Sequence, residues 1–400
     1  MDKPQRHYFL DWARIIAFFI LILYHTGMYY VTWDWHVKSP FASGMLEPFM
    51  FLSSPWRLGL LFFISGVASA FLLSNTRAGA FVRQRSWRLL LPLAFGMLVI
   101  VPLQPYYEVV EKVGYTGSFL EFMRLYVTGF DGFCREDCLI LPTWNHLWFV
   151  AYLWVYTVLL AALATLSGSA RLERWGSALA RLLGGWRAIV LPAAVLAASR
   201  NMLAYRFETT HALVDDFYSH GVYLPLFAAG VLLAREERFW KTLQALRVQA
   251  LGIALACWAF LVYYHLVVDH SAHSAALMEV LRPTEDVVYG LCQWSAIAAA
   301  CGFARRHLNQ DGPRRQYLTH AVFPVYILHQ TVIVTLAHNM QPLGLAPAIE
   351  GPVIVALTLA LCFGGYEVMR RFALTRPLFG LGEAAAPASA PRTAPATPAY

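Results

Sequence analysis

The sequence predicts an all-α polytopic membrane protein of about ten transmembrane helices, with both termini in the cytoplasm. Three observations predict it. Apolar residues make up 58% of the 400-residue chain and charged residues only 14%, against about 25% charged in soluble domains, and the mean hydropathy is +0.50. Ten stretches are long and apolar enough to cross roughly 30 Å of hydrocarbon, which takes about 20 residues. The basic residues between those stretches alternate from side to side. This composition excludes a soluble enzyme, a disordered chain and a small secreted disulfide scaffold.

The stretches lie near 9–31, 56–74, 87–105, 146–166, 186–204, 218–234, 247–267, 285–303, 319–338 and 348–369. Runs such as Ile15 to Leu23 and Val353 to Cys362 do not alternate in polarity, so the spans are helices rather than barrel strands. Arg187 and Arg200 crowd the ends of the fifth span, which makes it the weakest. Asp11 and Arg14 interrupt the first, and no small-residue cleavage site follows, so it does not read as a cleaved signal peptide. There is no internal repeat and no linker, which gives one membrane domain over 1–380. The Ala/Pro-rich tail, 381–400, is expected to be disordered.

Of the 31 Lys and Arg residues, 22 fall on the side of the N-terminus, hereafter the A side, and 8 on the B side. Arg14 lies within the first span. Positive residues in short loops stay in the cytoplasm, so the A side is expected to be cytoplasmic. The formal net charge of +7 then faces anionic membrane lipid, and no nucleic-acid partner is expected. On the B side, Cys134 and Cys138 stand four apart. A disulfide, two free thiols or half of a metal site all remain open for the pair. The other four cysteines lie within spans as small apolar residues, and no metal is expected.

Ionisable groups are costly in hydrocarbon unless paired or turned to a polar cavity. In span one, Asp11 and Arg14 are one turn apart and can form an ion pair. His25 lies roughly 21 Å further along, either as a hydrogen-bonded packing residue or as a base in a cavity. In span nine, Tyr326 and His329 share a face below Pro324. At the B end of span four, Asn145, His146 and Trp148 are cap residues or acceptor-side groups. Glu285 and Asp286 are placed at the opening of span eight, also on the B side. Walker, dinucleotide-binding, HExxH and GxSxG motifs are absent, which argues against an ATPase and the commonest hydrolases.

Several of these runs resemble those of the acyltransferase 3 family of integral membrane acyltransferases. They are Tyr8-Phe9-Leu10-Asp11-Trp12-Ala13-Arg14 with His25 following, Phe62-Phe63-Ile64-Ser65-Gly66, Arg85-Ser86-Trp87-Arg88-Leu89-Leu90-Leu91-Pro92, His146-Leu147-Trp148-Phe149 and Tyr326-Ile327-Leu328-His329. The first outer loop, with Trp35 and His36 in Trp35-His36-Val37-Lys38-Ser39, is nearest to the branch that succinylates osmoregulated periplasmic glucans. The resemblance covers about 1–380.

The resemblance implies a bacterial inner-membrane O-acyltransferase. The donor would be cytoplasmic acyl-CoA, with succinyl-CoA the leading candidate, and the acceptor a hydroxyl of a periplasmic glucan or other carbohydrate. Glucan-synthesis proteins are candidate partners. Arg77, Arg83, Arg85 and Arg88, at the A-side mouth of spans two and three, suit the phosphates of CoA, although positive-inside bias also explains them. His25 would act as base, oriented by a carboxylate, with Asp11, Arg14, Tyr326 and His329 in the catalytic set. Trp35, His36, Asn145, His146, Trp148, Glu285 and Asp286 would lie on the acceptor side. A polytopic transporter of a small polar solute is the rival reading, and it predicts solute movement without covalent change.

Overall fold

The structure, a computed structural model, describes residues 7–135, 138–268 and 275–382. Among these the regular elements are helical. They run α1 (Tyr8–Tyr30), α2 (Glu47–Ser53), α3 (Arg57–Ser74), α4 (Ala78–Phe95), α5 (Leu103–Lys112), α6 (Phe119–Thr128), α7 (Trp148–Ser167), α8 (Ser169–Leu182), α9 (Arg187–Leu203), α10 (Phe217–Leu233), α11 (Glu237–Leu266), α12 (Ala275–His307), α13 (Pro313–Met340), α14 (Pro347–Met369) and the short α15 (Thr375–Leu378). The expected tail lies almost wholly outside the described residues.

Helices occur at all ten predicted places. Among the described residues, eight segments of 18 residues or more are apolar enough to span a membrane, whereas α8 and α9 form a pair bent by 108° and α10 has 17 residues. The α9 helix, also of 17 residues, is about 25 Å long. The fifth span tolerates Arg200 because its guanidinium pairs with Glu285 at 3.0 Å and Asp286 at 3.0 Å. Those carboxylates do not open span eight. The α12 helix begins at Ala275, so both are buried within it. Ion pairing with α9 lets the helix continue beyond its apolar stretch.

Two helices position the site. Arg315, at the start of α13, pairs with Asp11 of α1 and with Asp311 at 2.7 Å, and Arg14 pairs with Asp11 at 3.2 Å. Further along the same two helices, His25 meets His329 at 2.8 Å. From 11 to 25 and from 315 to 329 is 14 residues each. The helices therefore run parallel and in register between two contacts roughly 21 Å apart.

The third span is broken. After Pro92, the chain makes a π-helical turn over Gly96–Ile100 before α5 resumes. Such turns leave backbone groups to be satisfied elsewhere. The carbonyl of Met97 accepts from the Tyr126 hydroxyl at 2.8 Å, and that of Ile100 from Thr331 at 3.0 Å. The long B-side loop is more structured than its sequence indicates. The α5 helix extends into it, α6 carries a Ser118–Glu121 capping box, and Cys134 and Cys138 form a disulfide. Val109, Phe122, Tyr126, Phe133 and Leu141 give this cap its own small core.

The main core unites Phe9, Phe62, Phe63, Trp240 and Trp294. Here α3 and α10 touch backbone to backbone. A Cβ at Gly66 would stand 2.1 Å from the Phe227 carbonyl oxygen, and one at Gly230 2.1 Å from that of Phe63. Neither backbone can yield without separating the helices. Gly66→Ala is expected to cost at least about 1–3 kcal/mol, read as a lower Tm of the purified protein. Gly79→Ala, where nothing lies within 4 Å, should be neutral or slightly stabilising.

Candidate active site

A cavity of about 500 Å³ opens between the B-side ends of the bundle, lined among others by Tyr24, His25, Trp35, His36, Arg57, Glu108, Asn145, His146, Trp148 and Tyr326. The hydrogen bonds behind its wall fix the tautomers of its histidines. His329 is fully buried, and its Nδ1 lies 2.6 Å from the Tyr326 carbonyl oxygen. A carbonyl only accepts, so Nδ1 carries the hydrogen and Nε2 holds a lone pair. That lone pair faces His25 Nδ1 at 2.8 Å, so His25 must donate from Nδ1. Its Nε2 is left as a lone pair, with no hydrogen bond from the described residues, on a side chain that lines the cavity. The arrangement makes His25 an oriented base. The group that orients it is a second histidine and not the expected carboxylate.

The neighbouring histidines are occupied at both nitrogens. His146 donates from Nε2 to the carbonyls of Tyr326 and Ile327, both at 3.2 Å. Its Nδ1 accepts from Gln104 at 3.3 Å. His36 donates from Nδ1 to Glu108 at 2.5 Å, and its Nε2 accepts from Gln330 at 3.0 Å. Glu108 also takes a bond from Lys112 at 3.1 Å, and Lys112 reaches Asp34 at 2.8 Å. His211, in the loop before α10, stacks on Trp148 at 4.4 Å, and burial lowers its pKa.

Gln104 joins these groups. It is completely buried. Its amide nitrogen donates to Thr331 at 2.7 Å and to His146. Its oxygen accepts from Asn145 and Gln330, each at 3.0 Å. Both donor hydrogens and both acceptor positions are thereby used.

Family membership bears on this geometry. A family model described as an acyltransferase domain, that of acyltransferase 3, matches residues 7–367. The chain belongs to this family. No curated protein and no solved structure matches it. Membership makes the chain a membrane acyltransferase, and of His25, His36, His146 and His329 it is His25 whose remaining nitrogen takes no hydrogen bond from the described residues.

The structure gathers His25, His329, Tyr326, Trp35, His36, Asn145, His146 and Trp148 in or against this cavity. It does not bring there Asp11 and Arg14, which tie α1 to α13 on the A side, nor Glu285 and Asp286, which hold α12 to α9. Arg77, Arg83, Arg85 and Arg88 lie on the A side along α4. Arg88 shares a cleft of about 600 Å³ with Arg370, Arg371 and Arg376. Sequence reasoning passed over Gln104, Glu108, Gln330 and Arg57. An uncharged amide at the end of an apolar run was the available signal for Gln104. Arg57 was legible only as one of the few basic residues on the B side.

Tyr326 has a structural task beside the cavity: its hydroxyl donates to the His146 carbonyl, answering the bonds His146 makes to α13. Tyr326→Phe is therefore expected to lower stability by about 1–3 kcal/mol. Turnover should fall by no more than about tenfold, where loss of a general acid costs about 10²–10⁴. Thermal unfolding and acyl transfer measured on the same preparation check both.

Proposed function

We propose that the protein is an O-acyltransferase that moves an acyl group from acyl-CoA on the A side to a hydroxyl of a carbohydrate on the B side. The A side is taken as the cytoplasm of a bacterial cell and the B side as the periplasm. The excess of basic residues on the A side supports that orientation, and so does a disulfide on the B side. A periplasmic glucan is the proposed acceptor, succinyl the proposed acyl group, and the proteins that build the glucan its natural partners. The observation that carries the reading is the free Nε2 of His25 in a cavity walled by Trp35, Trp144 and Trp148. Aromatic faces suit the apolar faces of sugar rings, and the polar groups between them suit hydroxyls.

In the reaction, His25 Nε2 takes the proton of the acceptor hydroxyl as its oxygen attacks the thioester carbonyl carbon. The new C–O bond forms, the C–S bond breaks, and the departing thiolate of CoA takes the proton from His25. His329 holds the imidazole in the tautomer that leaves Nε2 free, and it stabilises the imidazolium that forms. The donor's thioester must reach His25 from the A side. Arg14 stands eleven residues before His25, roughly 16 Å along α1, a span proposed for the pantetheine arm. Arg77, Arg83, Arg85 and Arg88 are proposed to hold the CoA phosphates, with Arg85 presenting a buried Nε that has no hydrogen-bond partner among the described residues.

Purified protein incubated with labelled acyl-CoAs and periplasmic glucan should place label on the carbohydrate. His25→Gln, which keeps hydrogen bonding but is no base near neutral pH, should lower turnover by about 10²–10⁴-fold. A variant retaining more than about a tenth of wild-type turnover removes His25 as the base. Label that never reaches carbohydrate, while a solute crosses in proteoliposomes, replaces the enzyme with a transporter.

Donor binding is separable. Arg85→Gln and Arg88→Gln should each raise the KM for acyl-CoA, by about tenfold where one charge-assisted contact to phosphate is lost, with the folded protein recovered in normal yield. Unchanged CoA affinity in both variants returns these arginines to the role of topology determinants.

A further inference from the structure

Arg57 is the first residue of α3 and lines the same cavity as His25. It is 5% exposed. Its guanidinium carbon lies 3.3 Å from the centre of the Tyr24 ring. Nε and Nη1 are buried and find no hydrogen-bond partner among the described residues. The carboxylates on this wall are engaged elsewhere, Glu108 by His36 and Lys112 and Asp34 by Lys112, and none pairs with Arg57 among the described residues.

A buried guanidinium without an anion is an expensive arrangement. The ring face of Tyr24 attracts the cation but cannot fill its directed N–H donors. Arg57 also sits at the N-terminus of an 18-residue helix, where the backbone dipole favours negative charge. Two features that favour an anion, a planar fork of unfilled donors and a positive helix end, thus belong to one residue of the cavity wall. Planar donor forks match a carboxylate in two-point fashion.

We infer that Arg57 binds a carboxylate at the far end of the acyl group, so that the enzyme selects dicarboxylic half-thioesters over neutral acyl groups of similar size. The inference rests on the proposed function. A thioester delivered from the A side to His25 leaves the remainder of its acyl chain pointing on toward the B side, and Arg57 is the cation waiting in that part of the cavity. Acid groups on the acceptor carry the same chemistry, so the test varies donor and acceptor separately. Arg57 forms and breaks no bond in the transfer; it fixes which acyl group is accepted.

The experiment measures kcat/KM for the full-length protein in detergent with succinyl-CoA, its methyl-ester-capped form and acetyl-CoA, each on a neutral glucan and on one bearing acidic substituents. The wild type is expected to favour succinyl-CoA over both neutral donors by about 10- to 100-fold, the range one charge-assisted pair supplies. The capped donor keeps chain length and removes charge, so this arm needs no variant. In Arg57→Gln the succinyl-to-acetyl ratio should collapse by a similar factor, and Arg57→Lys, which restores charge without the fork, should recover part of it. Loss of both donors in equal proportion assigns Arg57 to transition-state or structural support and overturns the inference. So does a preference that follows the acid groups of the acceptor, or transfer by the wild type with no donor discrimination. Absence of any acyl transfer by the wild type overturns the proposed function and this assignment with it.

Discussion

The site depends on the register between α1 and α13. One contact, Asp11 with Arg315, stands on the A side, and the other, His25 with His329, stands 14 residues further along each helix. A helix advances 1.5 Å per residue and turns 100°, so a slip of one residue on either helix would swing one imidazole away from the other. The ion pair is an inexpensive way to prevent that, because its desolvation is offset by Arg14 and Asp311 beside it. Polar groups on the A side thereby set the geometry of the imidazole pair at the cavity.

The same rule governs the cavity wall. Hydrocarbon offers no partner to a polar atom, so each one brought inside must be met by another. Gln104 shows the limit of that rule, with its donor and acceptor capacity fully used by Thr331, His146, Asn145 and Gln330. The network runs from Asp34 through Lys112, Glu108, His36, Gln330 and Gln104 to His146 and the backbone of α13. It joins the B-side loop, the broken third span and α13 into one frame. Against a frame so completely paired, the unfilled donors of Arg57 and the lone pair of His25 stand out as groups left for something else.

Much of the fold was legible because transmembrane helices announce themselves by apolar length. His25 and His329 were legible one at a time, as ionisable residues where such residues are costly. Their partnership was not, since they stand 304 residues apart and nothing in either span specifies the other. The expectation for His25 was an orienting carboxylate, the usual partner for a catalytic histidine, and the expected catalytic set included Asp11 on the same helix. Helical rise alone argues against it, because the two are separated by the thickness of most of the hydrocarbon. Glu285 and Asp286 illustrate the opposite difficulty: charge near a span end reads as solvation until the partner, Arg200 on another helix, is seen.

The relay behind His25 ends on the carbonyl of Tyr326, and an amide oxygen cannot take up a proton near neutral pH. The imidazole pair is therefore a blind alley for protons, open only where His25 faces the cavity. Any proton His25 gains leaves again through the cavity, and none is passed on through His329. A base held this way keeps its proton in the cavity, so whatever group is to receive that proton must reach His25 there.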